Sequence, residues 1–200
     1  VASVAVKPYS QKGEEEVILK IFGDHVGRFL DIGAFDGKTF SNTLALVERG
    51  WSGVLIEPSP NAFMALSDRH RGNDRLSLIM AAVGCESGLV QFYNSPDAIS
   101  TTQDANYETW KAHANFTGRF WVCQITLEQI LNQFGSFDFI NIDTEGTSVD
   151  LLKRLPLAAM RPKAVCVEHD HRIAEVLEVA VPLGYLAVYY DGNNVILSQP

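Results

Sequence analysis

The chain has 200 residues, with 16 Lys and Arg against 24 Asp and Glu, a formal net charge of -8 and no basic run. That balance weighs against a protein whose main task is gripping nucleic acid or an anionic membrane. Apolar residues make up 46% and charged residues 20%, as expected for one globular domain with a sizeable core, and no stretch approaches the length of a membrane span.

Cys85, Cys123 and Cys166 are few, odd in number and far apart, with no C-x-x-C pair. Neither a zinc ribbon nor a disulfide framework is supported. They read as buried or partly buried free thiols, and a reducing, cytoplasmic setting follows. Val1 to Val6 are apolar but lack a basic leader and a cleavage site, so they are not read as a signal peptide. The chain starts without Met and is read as a fragment or a processed form.

In chain order, Glu14-Glu15-Glu16 precedes an apolar-periodic run of Val17, Ile18, Ile21 and Phe22. This predicts a helix capped by Ser10 or Gly13, its glutamates favoured by the N-terminal dipole, lying over the sheet edge. Arg28 to Ile32 predicts the first parallel strand. It ends at Asp31 and runs into Gly33-Ala34-Phe35-Asp36-Gly37, a turn whose glycines let a ligand approach the backbone. The dinucleotide pattern G-x-G-x-x-G fails at Phe35. The phosphate loop fails too: Gly33 leaves only three residues before Gly37-Lys38-Thr39, and Asp36 would put a negative charge in the cradle. A ligand with an amino-acid end, an adenosine end and no phosphate fits better, because an acid at the strand end can receive its ammonium group. An ordinary strand–turn–helix corner is the alternative.

Ser41 to Arg49 predicts a helix ended by Gly50, and Gly53 to Glu57 a second buried strand stopped by Pro58. An acid at the end of that strand, one βαβ unit after Asp31, can hydrogen-bond both ribose hydroxyls. Pro60 to His70 predicts a helix and Leu76 to Ala82 a third strand, whose small exit residues Ala81 and Ala82 leave a slot for a flat adenine ring. Gly88 to Tyr93 alternates weakly and reads as an extra strand or hairpin. Asn94 to Thr117 lacks clean periodicity and reads as a long substrate-side lid.

Trp121 to Ile125 predicts a short strand. Thr126 then caps a helix from Leu127 to Phe134, with Gln129 completing a capping box. Phe137 to Asp143 predicts the fourth core strand, followed by Thr144-Glu145-Gly146 and a helix through Leu155. Pro162 to Glu168 predicts the fifth, leading into His169-Asp170-His171. A helix from Arg172 to Val181 and a β-hairpin around Asp191-Gly192-Asn193-Asn194 end the chain. Alternating strands and helices closed by a hairpin predict an α/β fold, a mostly parallel sheet with an antiparallel strand and helices on both faces.

With these motifs in place, the chain resembles the FkbM family of S-adenosylmethionine-dependent methyltransferases. The matching pieces are Ser10-Gln11 with Gly13-Glu14-Glu15, Asp31 to Gly37, Ser41-Asn42-Thr43, Ile56-Glu57-Pro58, Ala81 to Gly84, Ile142 to Gly146 and Val167-Glu168-His169, in family order. The resemblance implies a Rossmann-like, seven-stranded methyltransferase fold binding S-adenosylmethionine. It implies a cofactor site lined by Gln11, Asp31, Gly33, Ala34, Asp36, Asn42, Glu57, Pro58, Ala81, Ala82 and Asp143. It also implies O-methylation of a hydroxyl on a sugar, lipid or other small molecule. Because the chain holds little beyond the core fold, it is expected to be one domain of a longer protein.

For a hydroxyl acceptor, a general base must lie within hydrogen-bond reach. Asp143 and Glu145 after the fourth strand, and His169 and Asp170 after the fifth, cluster at the same end of the sheet. His169 is the expected base because its ordinary pKa lies near neutrality, with Asp143 or Glu145 orienting it or holding the acceptor. No metal is assigned, although Asp143, Glu145, His169, Asp170 and His171 could together bind a divalent ion. A binding module without transfer activity and an N-methyltransferase are the competing readings.

Overall fold

The computed structural model describes residues 9–200, so the apolar start Val1 to Val6 lies outside the described residues. Among the described residues eight α-helices and ten strands follow one another: α1 (Glu14–Phe22), β1 (Arg28–Ile32), α2 (Leu44–Glu48), β2 (Ser52–Ile56), α3 (Pro60–Arg69), β3 (Leu76–Ile79), β4 (Ala82–Gly84), β5 (Gly88–Asn94), α4 (Asp104–Trp110), β6 (Gly118–Thr126), α5 (Leu127–Phe134), β7 (Phe139–Ile142), α6 (Ser148–Arg154), α7 (Leu157–Met160), β8 (Ala164–Glu168), α8 (Ile173–Ala180), which runs into a 3-10 turn (Val181–Leu183), β9 (Leu186–Tyr190) and β10 (Asn194–Ser198). The main sheet has seven strands in the order β3-β2-β1-β7-β8-β10-β9. Its first five are parallel, and the β9–β10 hairpin adds antiparallel strands at one edge. This is the expected fold class.

The strand sequences explain why both faces are covered. Alternate residues point to opposite faces. Leu30, Ile32, Ile140, Ile142, Val165 and Val167 pack with Val149 and Leu152 of α6 and Val176 of α8. Phe29, Leu55, Phe139, Cys166 and Ile196 face the other way, onto Ile18 and Phe22 of α1, Leu46 of α2 and Leu66 of α3. Strands buried on both faces read as continuous apolar runs, the pattern that revealed them in the sequence. Helix α1 therefore covers a sheet face at the β9–β10 edge. Its Phe22 meets the fully buried Trp51 edge-on at 4.8 Å.

Three predicted elements change. The Leu76 to Ala82 strand splits: β3 stays in the main sheet, while β4 joins β6 and β5 in a separate three-stranded sheet. The predicted strand at Trp121 to Ile125 lengthens to nine residues, because β6 pairs with β5 from Gly118 to Gln124 and with β4 from Gln124 to Thr126. The helix predicted from Ser41 starts at Leu44, since the Ser41 hydroxyl accepts from the backbone N–H of Thr43 and Leu44. The capping box at Thr126 and Gln129 forms as predicted.

The turn after β1 depends on close backbone approach. Gly33 N–H and Ala34 N–H both donate to Ile56 O, and Gly33 adopts φ 88°. A Cβ there would overlap the Asp143 carbonyl. Gly72 has a similar φ of 77° but open space around it. Gly33→Ala is therefore expected to cost about 3 kcal/mol or more, against about 1 kcal/mol for Gly72→Ala, in urea unfolding. Equal costs would show that the close approach contributes nothing beyond the backbone strain.

Candidate active site

The exits of β1, β2, β7 and β8 open onto a cavity of about 720 Å³, within the usual range for a small-molecule site. Sheet register explains its first wall. Asp31 pairs with Asn141, which pairs with Cys166, so the three form a row on the α2 side. Asp31 is 2% exposed. Its carboxylate accepts from the Thr43 hydroxyl at 2.5 Å and from the Asn141 amide at 2.8 Å. The Asn42 amide in turn donates to Asn141 Oδ1 at 3.0 Å and to Cys166 Sγ at 3.7 Å. Burial pushes the Asp31 carboxyl upward against these two hydrogen bonds. The Asn42 side-chain oxygen is buried and has no protein donor, yet its residue lines the cavity.

Glu57 forms the second wall. One carboxylate oxygen accepts from Phe35 N–H at 2.9 Å, the other from Ser59 N–H at 2.7 Å. Each keeps a lone pair for a ligand. Burial raises this carboxyl to about 7, opposed by those backbone bonds. Ala81 and Ala82, each 3% exposed, and Pro58 line the same region.

The third wall is acidic. Asp143, Glu145 and Glu168 offer carboxylate oxygens within 4.8 Å of one another, and among the described residues they form the group that could hold a metal ion. Glu168 accepts from Glu145 N–H at 3.1 Å and from the Ser148 hydroxyl at 3.3 Å. Burial and mutual repulsion raise Glu145 to about 8 and Glu168 well above the carboxylate range. Burial also raises Asp143 to about 6, opposed by its hydrogen bond with Glu168. Asp170 lines the cavity too, and its Oδ2 is buried without a partner.

The segment from Asn94 to Thr117, read from sequence as a substrate-side lid without clean periodicity, contains α4 and lies against this acidic wall. Thr101 Oγ1 and Asn106 Nδ2 both donate to the Glu145 carbonyl, at 2.8 and 2.7 Å. Tyr107 stacks on Tyr93 at 4.1 Å. Gly146, with φ 114°, leaves no Cβ to meet Asn106. Of the six described non-glycine residues with positive φ, Phe35, Phe40, Glu145, Asp170 and His171 line the cavity. Strained backbone is concentrated where function is expected.

Ten of the eleven expected cofactor residues line the cavity: Gln11, Asp31, Gly33, Ala34, Asn42, Glu57, Pro58, Ala81, Ala82 and Asp143. Asp36 does not. Its carboxylate accepts from Lys38 N–H, Thr39 N–H and the Thr39 hydroxyl, so it shapes the turn from outside the cavity.

His169 also needs correction as the expected base, because its ring does not line the cavity. It is 1% exposed and stacked on Tyr190. Nδ1 accepts from His171 N–H and Nε2 donates to the Asp191 carbonyl, so neither nitrogen is free. Sequence reasoning missed Asn141 and Thr43 as partners of Asp31, and it passed over Glu168. The run Glu168-His169 carried the signal, but only the strand's alternation shows that the acid, on the Cys166 side, reaches the cavity.

The sequence profile described as Methyltransferase FkbM domain matches residues 31–183. The chain belongs to the FkbM methyltransferase family. No curated protein matches it by sequence. A methyltransferase FkbM from Methylobacillus flagellatus KT superposes with TM-score 0.57 at 13% identity, over 87% of this chain. The chain spans 44% of that protein's length. A ribosomal protein L11 methylase from Lactobacillus delbrueckii subsp. bulgaricus gives 0.50 at 12% identity, covering 94% of this chain and 78% of its own. A precorrin-6y C5,15-methyltransferase from Geobacter metallireducens GS-15 gives 0.50 at 10%, covering 100% and 93%. At these identities the likeness shows the fold. No helix among the described residues is long and apolar enough to cross a membrane. Cys85 and Cys123 are exposed, contrary to expectation, while Cys166 is buried.

The acidic wall of this FkbM domain has a pH signature. Glu145 holds its proton in the folded chain up to about 8 but loses it near 4.5 when unfolded. Its contribution to stability is thus complete below 4.5 and lost as pH rises through 8. Glu145→Gln is expected to gain on the ligand-free wild type by an amount growing from pH 4.5 to 8, reaching on the order of 5 °C in Tm. A difference constant across that range would remove Glu145 as the titrating group.

Proposed function

We propose that the chain is an S-adenosylmethionine-dependent O-methyltransferase acting on a hydroxyl of a sugar, glycan, lipid or other small molecule. The observation that carries this reading is the set of acids at adjacent strand ends around one cavity, within a domain of the FkbM family. The exposed free thiols support a reducing, cytoplasmic setting, and the negative charge supports an acceptor other than nucleic acid.

The chain's own residues fit the cofactor. The spare lone pairs on Glu57 suit ribose hydroxyls, and the slot at Ala81 and Ala82 suits adenine. The unpartnered Asn42 oxygen suits an ammonium group. Asp31 holds Asn141 and Thr43 in place beside it, rather than receiving the ammonium by itself. The cofactor supplies the activated methyl group when bound. Asp143, Glu145 and Glu168 form the proton-accepting wall. Once ionised, a carboxylate with a raised pKa is a stronger base toward a hydroxyl than an ordinary one. His169 becomes a positioning residue, fixing the turn that carries Asp170 and His171.

Isothermal titration with S-adenosylhomocysteine tests the cofactor reading. Micromolar or tighter binding is expected, with Glu57→Ala weaker by about ten- to a hundred-fold; a folded chain that binds none would refute it. In a labelled-methyl assay over glycan, lipid and protein fractions, Glu145→Gln or Glu168→Gln is expected to lower turnover by about 10² to 10⁴. His169→Asn should lower stability more than turnover per folded molecule. Cofactor binding without transfer to any fraction would favour a binding module, and label on an amine would favour N-methylation.

The proximity of the three carboxyls favours a second reading, in which they hold a divalent cation that acidifies the acceptor hydroxyl. Turnover that survives exhaustive chelation leaves proton acceptance to the carboxyls alone.

A further inference from the structure

Helix α4 turns one face into the cavity. Asn106, Thr109 and Trp110, spaced i, i+3 and i+4, all line it. Tyr107 packs away from that face, stacked on Tyr93 and edge-on to Phe116. The Asn106 amide is spent on the Glu145 carbonyl and the Thr109 hydroxyl donates to the Ala105 carbonyl at 2.8 Å. Trp110, 46% exposed, is thus the large open surface of this wall. Facing the same space are Asp97, Asp143, Glu145, Glu168 and Asp170. With Asp31 and Glu57 the lining holds seven carboxyl groups, and among the described residues it holds neither Lys nor Arg.

We propose that this half of the cavity takes an uncharged polyhydroxyl ring, stacked on Trp110 with its hydroxyls hydrogen-bonded to the surrounding carboxyls. The proposal rests on the methyltransferase reading and adds a charge rule and a recognition residue to it. An acceptor bearing carboxylate or phosphate would surrender its hydration with no Lys or Arg in the lining to replace it and only the His171 imidazole beside a field of carboxyls. A cationic acceptor would meet the positive sulfonium of the donor. Like charges held close together in a partly buried site repel. An uncharged ring avoids both costs. Its C–H face suits an aromatic plane, and its rim of hydroxyls suits groups that accept hydrogen bonds when ionised and donate them when protonated.

Saturation-transfer NMR tests this on the full chain, first shown to bind S-adenosylhomocysteine and then loaded with sinefungin, an unreactive analogue whose protonated amine stands in for the sulfonium charge. The probes are methyl glucoside, galactoside and mannoside, each beside its uronate and its 2-amino-2-deoxy counterpart. At least one neutral glycoside is expected to bind at least ten-fold more tightly than both charged counterparts. Trp110→Ala should abolish that signal and Trp110→Phe retain most of it, both with S-adenosylhomocysteine affinity within two-fold of wild type. Asp97→Lys should admit the uronate at least ten-fold better. A uronate or amino sugar that binds as well as its neutral counterpart overturns the charge rule. Undiminished binding by Trp110→Ala removes the platform, and binding of no glycoside by the loaded chain overturns the acceptor class. Failure to load S-adenosylhomocysteine at all is a separate result: it removes the methyltransferase reading, and this proposal with it.

Discussion

The buried carboxylate of Asp31 is the interaction on which the site depends. A lone carboxylate in a protein interior is costly, and pairing it with good donors offsets that cost. Here the donors come from outside its own strand: Thr43 before α2 and Asn141 on β7. One side chain thus ties together the first strand, its neighbour and the helix entry. Gly33 completes the arrangement. Two residues beyond Asp31, the chain passes against the Asp143 carbonyl, where only a residue without Cβ fits. The distance between β1 and β7 at their exits is therefore set on both sides, by a hydrogen-bonded acid and by a missing side chain. Asp143, Glu145 and the acidic wall inherit their position from that spacing.

The wall itself is an electrostatic compromise. Asp143, Glu145 and Glu168 lie close together without a cationic side chain among them, and burial with repulsion lifts all three. Elsewhere the chain pairs its acids readily: Arg172 bridges Asp150 and Glu175 at 2.7 and 2.8 Å. The contrast argues that the unpaired acids answer to a ligand's needs and not to the fold's. Strain at Glu145, Asp170 and His171 points the same way.

The core of the fold was legible because its strands are continuous apolar runs ending in acids, and because turns and caps have local chemistry. The Thr126 box and the Asp191 hairpin needed only neighbours in sequence. What escaped needed register. His169 and Glu168 are adjacent in the chain and equally plausible as chemistry. Only the pairing of β8 with β10 shows that the histidine continues the ladder, its N–H donating to Asn193 O, and that the acid turns to the cavity. Likewise Asp36 read as a ligand residue because it sits in the glycine turn, whereas its oxygens are taken by backbone groups two and three residues on. The helix α4 was invisible for another reason. It has no buried residue of its own, so the apolar periodicity that announces a helix is missing, and tertiary contacts hold it.

These two kinds of legibility divide the site along a physical line. The half proposed for the cofactor rests on the exits of buried parallel strands, where a change in one residue disturbs the whole sheet. The half proposed for the acceptor is walled by the segment between β5 and β6. That segment is held by two hydrogen bonds on the Glu145 carbonyl, by the Ser59 hydroxyl donating to Asn94 Oδ1, by the Tyr93–Thr101 bridge and by the contacts of Tyr107 with Tyr93 and Phe116. Helix α4 itself buries no residue, so it opens at lower cost than the buried strands. Its opening would leave the strand exits in place. Asn106 couples the halves, because the carbonyl it grips belongs to Glu145. The seating of α4 therefore helps fix the backbone that carries one of the three acids, alongside the bond from Glu145 N–H to Glu168.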